Sequence, residues 1–197
     1  MQPTLLDIPQ QLETERLRLR AYQAGDGHWL HQIYQRDYDH LGKSARGILA
    51  GLGFDLTKPD DAETFVRHLV VDWVLRHRFV FSVWHKESTN FVGELWVECK
   101  NWQTRQHEIG YFVVSDYLRQ GYATETAKAG LGFVFNDLQA HKAALTCDED
   151  NVASYRVAER CGFVREGCLR AAFLREDGTF MGQLHYGLLR SEYDSLA

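Results

Sequence analysis

Tyr117-Leu118-Arg119-Gln120-Gly121-Tyr122-Ala123-Thr124-Glu125 is the stretch on which the fold turns. Before it, His107–Val114 reads as a strand. After it, Ala127, Gly130, Leu131, Val134, Phe135 and Leu138 recur at helical spacing. The stretch is therefore a strand-to-helix junction. A helix begins with main-chain N–H groups that lack an intrahelical acceptor, and with partial positive charge. At the end of a strand such a terminus can hold an anion such as a pyrophosphate. Gly121 and Ala123 keep the backbone open to close approach, and Arg119 adds a positive charge. Gly-x-Ala alone describes a plain tight turn equally well.

Downstream, Ala143–Cys147 reads as a strand and Asn151–Cys161 as a short helix, with Asp150 or Asn151 as its N-cap. Phe163–Leu169 and Gln183–Leu189 read as two last strands, with Asp177-Gly178 as turn chemistry between them. Helix, strand, helix in succession make a crossover unit, so part of the sheet is expected to be parallel. Upstream, Phe79–His85 and Phe91–Cys99 flank a turn at Glu87–Asn90, and with His107–Val114 they form an antiparallel meander. Ala62, Phe65, Val66, Leu69, Val70, Trp73 and Val74 mark an amphipathic helix, and residues 24–36 a second with Trp29, Leu30 and Ile33 on one face. Arg16-Leu17-Arg18-Leu19-Arg20 alternates strictly, as a half-buried edge strand with solvated arginines does. Residues 1–12 read as a loose lead-in. Residues 37–58 are irregular. Gly42-Lys43-Ser44 has Asp37 where a phosphate loop needs glycine, and Gly51-Leu52-Gly53 has Leu56 in place of a third glycine, so both are rejected. The class is mixed α/β, with helices on both faces of the sheet.

The 197 residues suit one domain or two small ones. Lys plus Arg is 22 and Asp plus Glu is 27, a net charge of −5. That charge disfavours a nucleic-acid partner and suits cationic small substrates. No run approaches the roughly 18 apolar residues of a membrane span, and the N-terminus lacks the pattern of a secretory signal. Cys99, Cys147, Cys161 and Cys168 form no C-x-x-C, which reads as reduced thiols in a cytoplasmic protein. His28 and His31 lack companions for a metal site, and no metal is expected.

Arg119-Gln120-Gly121-Tyr122-Ala123-Thr124-Glu125 resembles the acetyl-CoA pyrophosphate loop of the GNAT acetyltransferase superfamily. Asn151-Val152-Ala153-Ser154 through Cys161-Gly162-Phe163, continued by Val164–Arg170, is similar to that superfamily's second signature. Thr14-Glu15-Arg16-Leu17-Arg18-Leu19-Arg20 resembles the start of its ribosomal-protein N-terminal acetyltransferase (RimJ/RimL-like) branch. The resemblance spans roughly residues 13–193. It implies a single GNAT domain over 1–197, whose mostly antiparallel sheet splays at a central parallel pair. Acetyl-CoA would be the cosubstrate. Its pantetheine would bond the backbone of Phe112, Val113 and Val114. Its pyrophosphate would rest on the N–H groups of Arg119, Gln120, Gly121, Tyr122, Ala123 and Thr124. Asn151 would hold pantetheine or cap its helix. The acceptor would be a primary amine: the N-terminal α-amine of a ribosomal or other protein, or else an antibiotic, polyamine or aminoacyl compound. Homodimers occur in the branch. A CoA-binding module without transferase activity is the reading from another class. Three positions depart from the pattern. Leu118 stands where the loop usually has Gln or Arg. Ala158 stands where many members have a tyrosine. The branch's later glutamate falls near Phe173.

Acetyl transfer needs a neutral amine, a polarised carbonyl and a proton for the leaving thiolate. Neutralising an α-amine at pH 7 costs roughly 1.4 kcal/mol and a lysine roughly 4.6 kcal/mol. Glu108 is the candidate base, at a position matching a catalytic glutamate in some members. Alternation puts it on one face with Gly110 and Phe112, opposite Ile109, Tyr111 and Val113. Solvent exposure, or pairing with an arginine such as Arg105, is the structural alternative. Ser154 matches the branch's serine, whose hydroxyl would meet the forming thiolate. It shares a helical face with Val157, Ala158 and Cys161 and so points inward. A hydroxyl bonded back to the preceding turn is the alternative. Residues 24–60 and 170–182, the least patterned, are expected to shape the acceptor pocket.

Overall fold

The computed structural model describes residues 2–41, 53–175 and 177–196. Its strands are β1 (Gln11–Glu13), β2 (Leu17–Ala21), β3 (Arg78–His85), β4 (Phe91–Asn101), β5 (Gln106–Val113), β6 (Lys142–Asp148), β7 (Val164–Leu174) and β8 (Phe180–Leu189). They form one sheet in the order β1-β2-β3-β4-β5-β6-β8-β7. Its helices are α1 (Gly27–Arg36), α2 (Pro59–Val74), α3 (Tyr122–Gly132), α4 (Val152–Arg160) and α5 (Arg190–Asp194). None of these is long and apolar enough to cross a membrane. Gly42-Lys43-Ser44 and Gly51-Leu52 lie outside the described residues.

Every neighbouring pair of strands is antiparallel except β5 and β6. The crossover through α3 makes that pair parallel, as its helix–strand–helix pattern requires. Their pairing is short: Gln106↔Lys142, His107↔Ala143 and Glu108↔Ala144. Beyond it β5 continues to Val113 and β6 to Asp148 without pairing to each other, so the sheet splays open at its centre.

Alternation along the strands divides the core into two layers. Phe79, Phe81, Val83, Leu95, Val97 and Ile109 face α3 and the Phe133–Asp137 π-helical turn that continues it. Val80 and the partly buried Trp96 and Phe112 face the other way, onto Leu30 and Tyr34 of α1 and Phe65, Val66 and Leu69 of α2. Each such large side chain contributes about 1.5–3 kcal/mol by leaving water.

The structure corrects several expectations. Residues 1–12 are more than a lead-in: Pro3–Leu5 make a 3-10 turn, Ile8 is buried, and β1 covers the outer side of β2. The Arg16–Arg20 segment is therefore not the sheet edge. Only Arg18, ion-paired to Glu13 at 3.3 Å, keeps the solvated character expected of all three arginines. Arg20 forks onto Asp26 at 2.6 and 2.9 Å. Arg16 lies outside the strand, against the loop before α3. Val74 stays exposed because α2 ends where its apolar face runs past the sheet. The last two strands extend to Leu174 and back from Phe180, since the Asp177-Gly178 turn lies farther out than the pairing residues suggested.

Candidate active site

The segment between β5 and α3 is held from two sides. Ser115–Tyr117 form a 3-10 turn, and the residue after α1 pins it: Asp37 Oδ2 accepts from Ser115 N at 2.8 Å. Leu118 follows, extended and exposed. Arg119 takes φ 59° and Gly121 φ 86°, both left-handed, with Gln120 between them. Alternating handedness turns successive N–H groups toward one side, the geometry of an anion-binding nest. Among the described residues, no protein acceptor takes the main-chain N–H of Arg119, Gln120, Gly121, Tyr122, Ala123 or Thr124. The first amide with a partner is that of Glu125, which donates to Gly121 O at 3.0 Å.

Arg16 braces the opposite side of this loop. Its Nη1 donates to Gln120 O at 3.1 Å, its Nε donates to Glu125 Oε2 at 2.7 Å, and its guanidinium lies 4.1 Å over the Tyr122 ring. Thr14 Oγ1 at 2.5 Å and the Arg16 main-chain N at 3.0 Å donate to Glu125 Oε1. Burial opposes the charge on Glu125, but the Thr14 hydroxyl and Arg16 outweigh it and hold the carboxyl below its ordinary range. The Thr14–Arg16 segment thus fixes the loop, a role that reading it only as strand and solvent missed. Thr14 and Arg16 lie more than a hundred residues from Glu125, and spacing alone could not join them to it.

Phe112, Val113 and Val114 line the splay unequally. Val114 N–H donates to Val92 O at 2.9 Å, within the sheet. Alternation then turns the peptide groups of Val113 away from β4, and His40 Nε2 donates to Val113 O at 3.0 Å. The Phe112 ring packs edge-on to Tyr34.

Asn151 caps α4: its Oδ1 accepts from Ser154 N at 3.1 Å. Ser154 lies in the first turn of that helix, with Val157, Ala158 and Cys161 buried on the same face. The Cys147 side chain lies beside its hydroxyl. Burial pushes the Cys147 thiol up, and that hydroxyl only partly offsets the effect. Tyr111 Oη donates to Ser154 O at 3.3 Å, which ties α4 to β5 across the splay.

Glu108 stands at the foot of the splay. Its Oε1 accepts from Thr146 Oγ1 at 2.7 Å, and its Oε2 pairs with Lys100 at 3.0 Å rather than with an arginine. Glu94, which the sequence reading passed over, lies deeper. It is 6% exposed, directly opposite Phe112, and Tyr22 Oη donates to its Oε1. Burial raises its carboxyl to about 7, with the Tyr22 hydroxyl acting the other way. A charged residue amid the apolar run Phe91–Val97 was the available signal. Among the described residues no three His, Cys, Asp or Glu side chains converge as metal ligands.

The chain has relatives in sequence and in fold. The family model described as "Acetyltransferase (GNAT) domain" matches residues 16–164. The Bacillus subtilis protein named uncharacterized N-acetyltransferase YnaD is 25% identical over 183 residues, covering 93% of this chain and 99% of that protein. The structure of the ribosomal L7/L12 α-N-protein acetyltransferase RimL in complex with coenzyme A superposes with a TM-score of 0.76 at 19% identity, over 92% of this chain and 97% of that one. A chimera of the Vibrio cholerae spermidine N-acetyltransferase SpeG and hSSAT superposes with a TM-score of 0.73 at 22% identity, over 92% and 99% of the two chains. At these identities the two structural likenesses are of fold.

Proposed function

This chain belongs to the GNAT acetyltransferase family and is an acyl-CoA-dependent N-acetyltransferase; on that premise we propose that its acceptor is a protein N-terminal α-amine, a ribosomal protein's in particular. The observation that carries the cosubstrate side is the row of six unpartnered amides, Arg119 to Thr124, at the mouth of the central splay. A pyrophosphate there takes up N–H groups that have no protein acceptor, beside the positive end of α3. The contribution comes from the backbone, so Leu118 in place of a polar residue does not remove it. Arg16, bonded to Gln120 O and paired with Glu125, braces the loop.

Acetyl-CoA supplies an activated thioester carbonyl. The chain supplies position and proton handling. The open edge of β5 at Val113 receives the pantetheine arm alongside the strand. Asn151, engaged as the α4 cap, orders the turn that presents Ser154. The Ser154 hydroxyl, on the inward face of α4, supplies a hydrogen bond where negative charge grows on sulfur.

The α-amine is favoured by its lower neutralisation cost, roughly 3 kcal/mol below that of a lysine, and by the likeness to RimL. The likeness to the SpeG chimera supports a small polyamine as the second reading. Thiol release from acetyl-CoA separates them. Peptides bearing free α-amines and ribosomal protein N-termini are expected to turn over at least tenfold faster than spermidine or Nα-blocked lysine peptides. The reverse order would establish the small-amine reading. Coenzyme A binding without turnover of any amine would reduce the protein to a binding module.

A further inference from the structure

On the α1–α2 side of the sheet a carboxylate lies buried, and among the described residues no cation pairs with it. Glu94 Oε1 is taken by Tyr22, and no described residue donates to Oε2. Glu94 belongs to none of the ion pairs among the described residues. Across the sheet it has Phe112 on one side and the buried Ser82 on the other, and a chain of aromatic rings lies on the same side of the sheet. Tyr22 stacks on Trp29 at 5.5 Å, Trp29 meets Phe91 at 5.1 Å, and Phe91 leads at 6.4 Å to Phe112, whose ring meets Tyr34. Among the described residues, the titratable and charged groups recorded as acting on Glu94 or its tyrosine neighbours are Tyr22 and Tyr34, with the Arg20–Asp26 pair beyond Tyr22. A buried carboxylate is costly unless a cation or several donors satisfy it. An aromatic wall around an unmatched negative charge is what a desolvated ammonium group favours.

The position connects this charge to the proposed reaction centre. Glu94 and Phe112 are direct cross-strand partners, so their side chains share a face. The next residue of β5 is Tyr111, on the opposite face, and its hydroxyl reaches Ser154 O. The splay therefore has Ser154 and the amide row on one side of the sheet and Glu94 with its aromatic wall on the other, one residue apart along β5.

We propose that Glu94 receives the acceptor's ammonium group between the aromatic rings and takes its proton on Oε2. This assignment rests on the acetyl-transfer reading above and adds to it the group that prepares the amine. In the balanced sequence the ammonium gives one proton to Glu94 and becomes a neutral amine. The amine nitrogen forms a bond to the thioester carbonyl carbon and loses its second proton, the one that the departing thiolate takes up. The carbon–sulfur bond breaks, and the thiolate takes up a proton. Glu94 returns its own proton to solvent. Transfer from an α-amine to a carboxyl that titrates near 7 is uphill by only about tenfold, whereas from a lysine it is uphill by more than a thousandfold. The same carboxylate therefore also selects for acceptors of low basicity.

Glu94→Gln keeps the shape and an acceptor for Tyr22 while removing the base. The test uses the full chain, an α-amino peptide that the wild type acetylates, and coenzyme A. Glu94→Gln is expected to lower kcat/KM at least a hundredfold at pH 7, with the loss shrinking about tenfold per pH unit toward the amine's own pKa. Its affinity for coenzyme A should stay within threefold of wild type. Tyr22→Phe, which leaves the carboxylate but removes the hydroxyl that lowers its pKa, should shift the acid limb of the pH profile upward while turnover persists at higher pH. Wild-type kcat/KM and pH profile in Glu94→Gln would overturn the proposal, as would a pH-independent loss accompanied by weaker coenzyme A binding, which marks a structural role. If the wild type turns over no amine although it binds coenzyme A, the acetyl-transfer reading fails first and takes this assignment with it.

Discussion

Ser154 and Glu108 came from the same motif reasoning, and the structure gives them unequal surroundings. Ser154 keeps a hydroxyl beside Cys147 on the inward face of α4, while its main-chain N–H is capped by Asn151. Ser154→Ala removes the hydroxyl and leaves the cap. It is expected to lower kcat by about tenfold to a hundredfold with coenzyme A affinity unchanged, as steady-state kinetics and calorimetry would show. Glu108 has both oxygens engaged, by Thr146 and Lys100. An amine could reach either oxygen only by displacing one of these partners. With Glu94 as the proton acceptor, Glu108→Gln should change turnover by no more than a few-fold. A larger loss for lysine-like amines than for α-amines would instead give the base role to Glu108.

Among the elements, the loop before α3 carries the proposed pyrophosphate site. Gly121 sits at φ 86°, and a Cβ there would meet only Arg16 Nη2, at 3.5 Å. The demand for glycine is thus conformational, and a left-handed non-glycine residue costs roughly 1–2 kcal/mol. Gly121→Ala is expected to lower stability by about that amount and to weaken coenzyme A binding about tenfold, because relaxing the φ angle turns the neighbouring amides out of line. Thermal unfolding and calorimetry measure the two effects separately. Unchanged binding at reduced stability would mean that the amide row is not the pyrophosphate site. Gly110 is constrained differently: a Cβ there would lie 2.1 Å from the Trp96 ring, so packing on the α1–α2 side requires the glycine.

Across the whole molecule, buried titrating groups give stability a signed pH dependence. Burial raises Glu94 to about 7 from an ordinary 4.5, so the folded state binds its proton more tightly than the unfolded chain does. Its contribution is present below about pH 4.5 and lost as pH rises through 7. His107 is fully buried, and burial lowers its imidazole from 6.5 to about 4. Its contribution is present above about pH 6.5 and lost as pH falls through 4. Glu125, held below its ordinary value, acts in the same direction at lower pH. Wild-type stability should therefore decline on both sides of a maximum in the weakly acidic range. Glu94→Gln should remove the alkaline decline, gaining up to about 3 kcal/mol at pH 8 and little at pH 4.5. Chemical denaturation at several pH values checks this, and an equal shift at every pH would contradict it.

Local pattern carried the architecture. Residues 79–114 alternate and residues 122–138 recur at helical spacing because a strand or helix at a sheet's centre must bury a continuous face. The α3 junction was legible for the same reason: a glycine and unpartnered amides at a helix start are properties of neighbouring residues. By itself the sequence thus determined the mixed sheet with its crossover, the Arg119–Thr124 loop and the Asn151–Ser154 cap. The tertiary structure decided the rest. Arg16 against Glu125, Tyr22 against Glu94 and Lys100 against Glu108 depend on chain reversals and strand registers that no local spacing encodes. A charge's role follows from its neighbours and its distance from water, and both are settled only when distant segments pack.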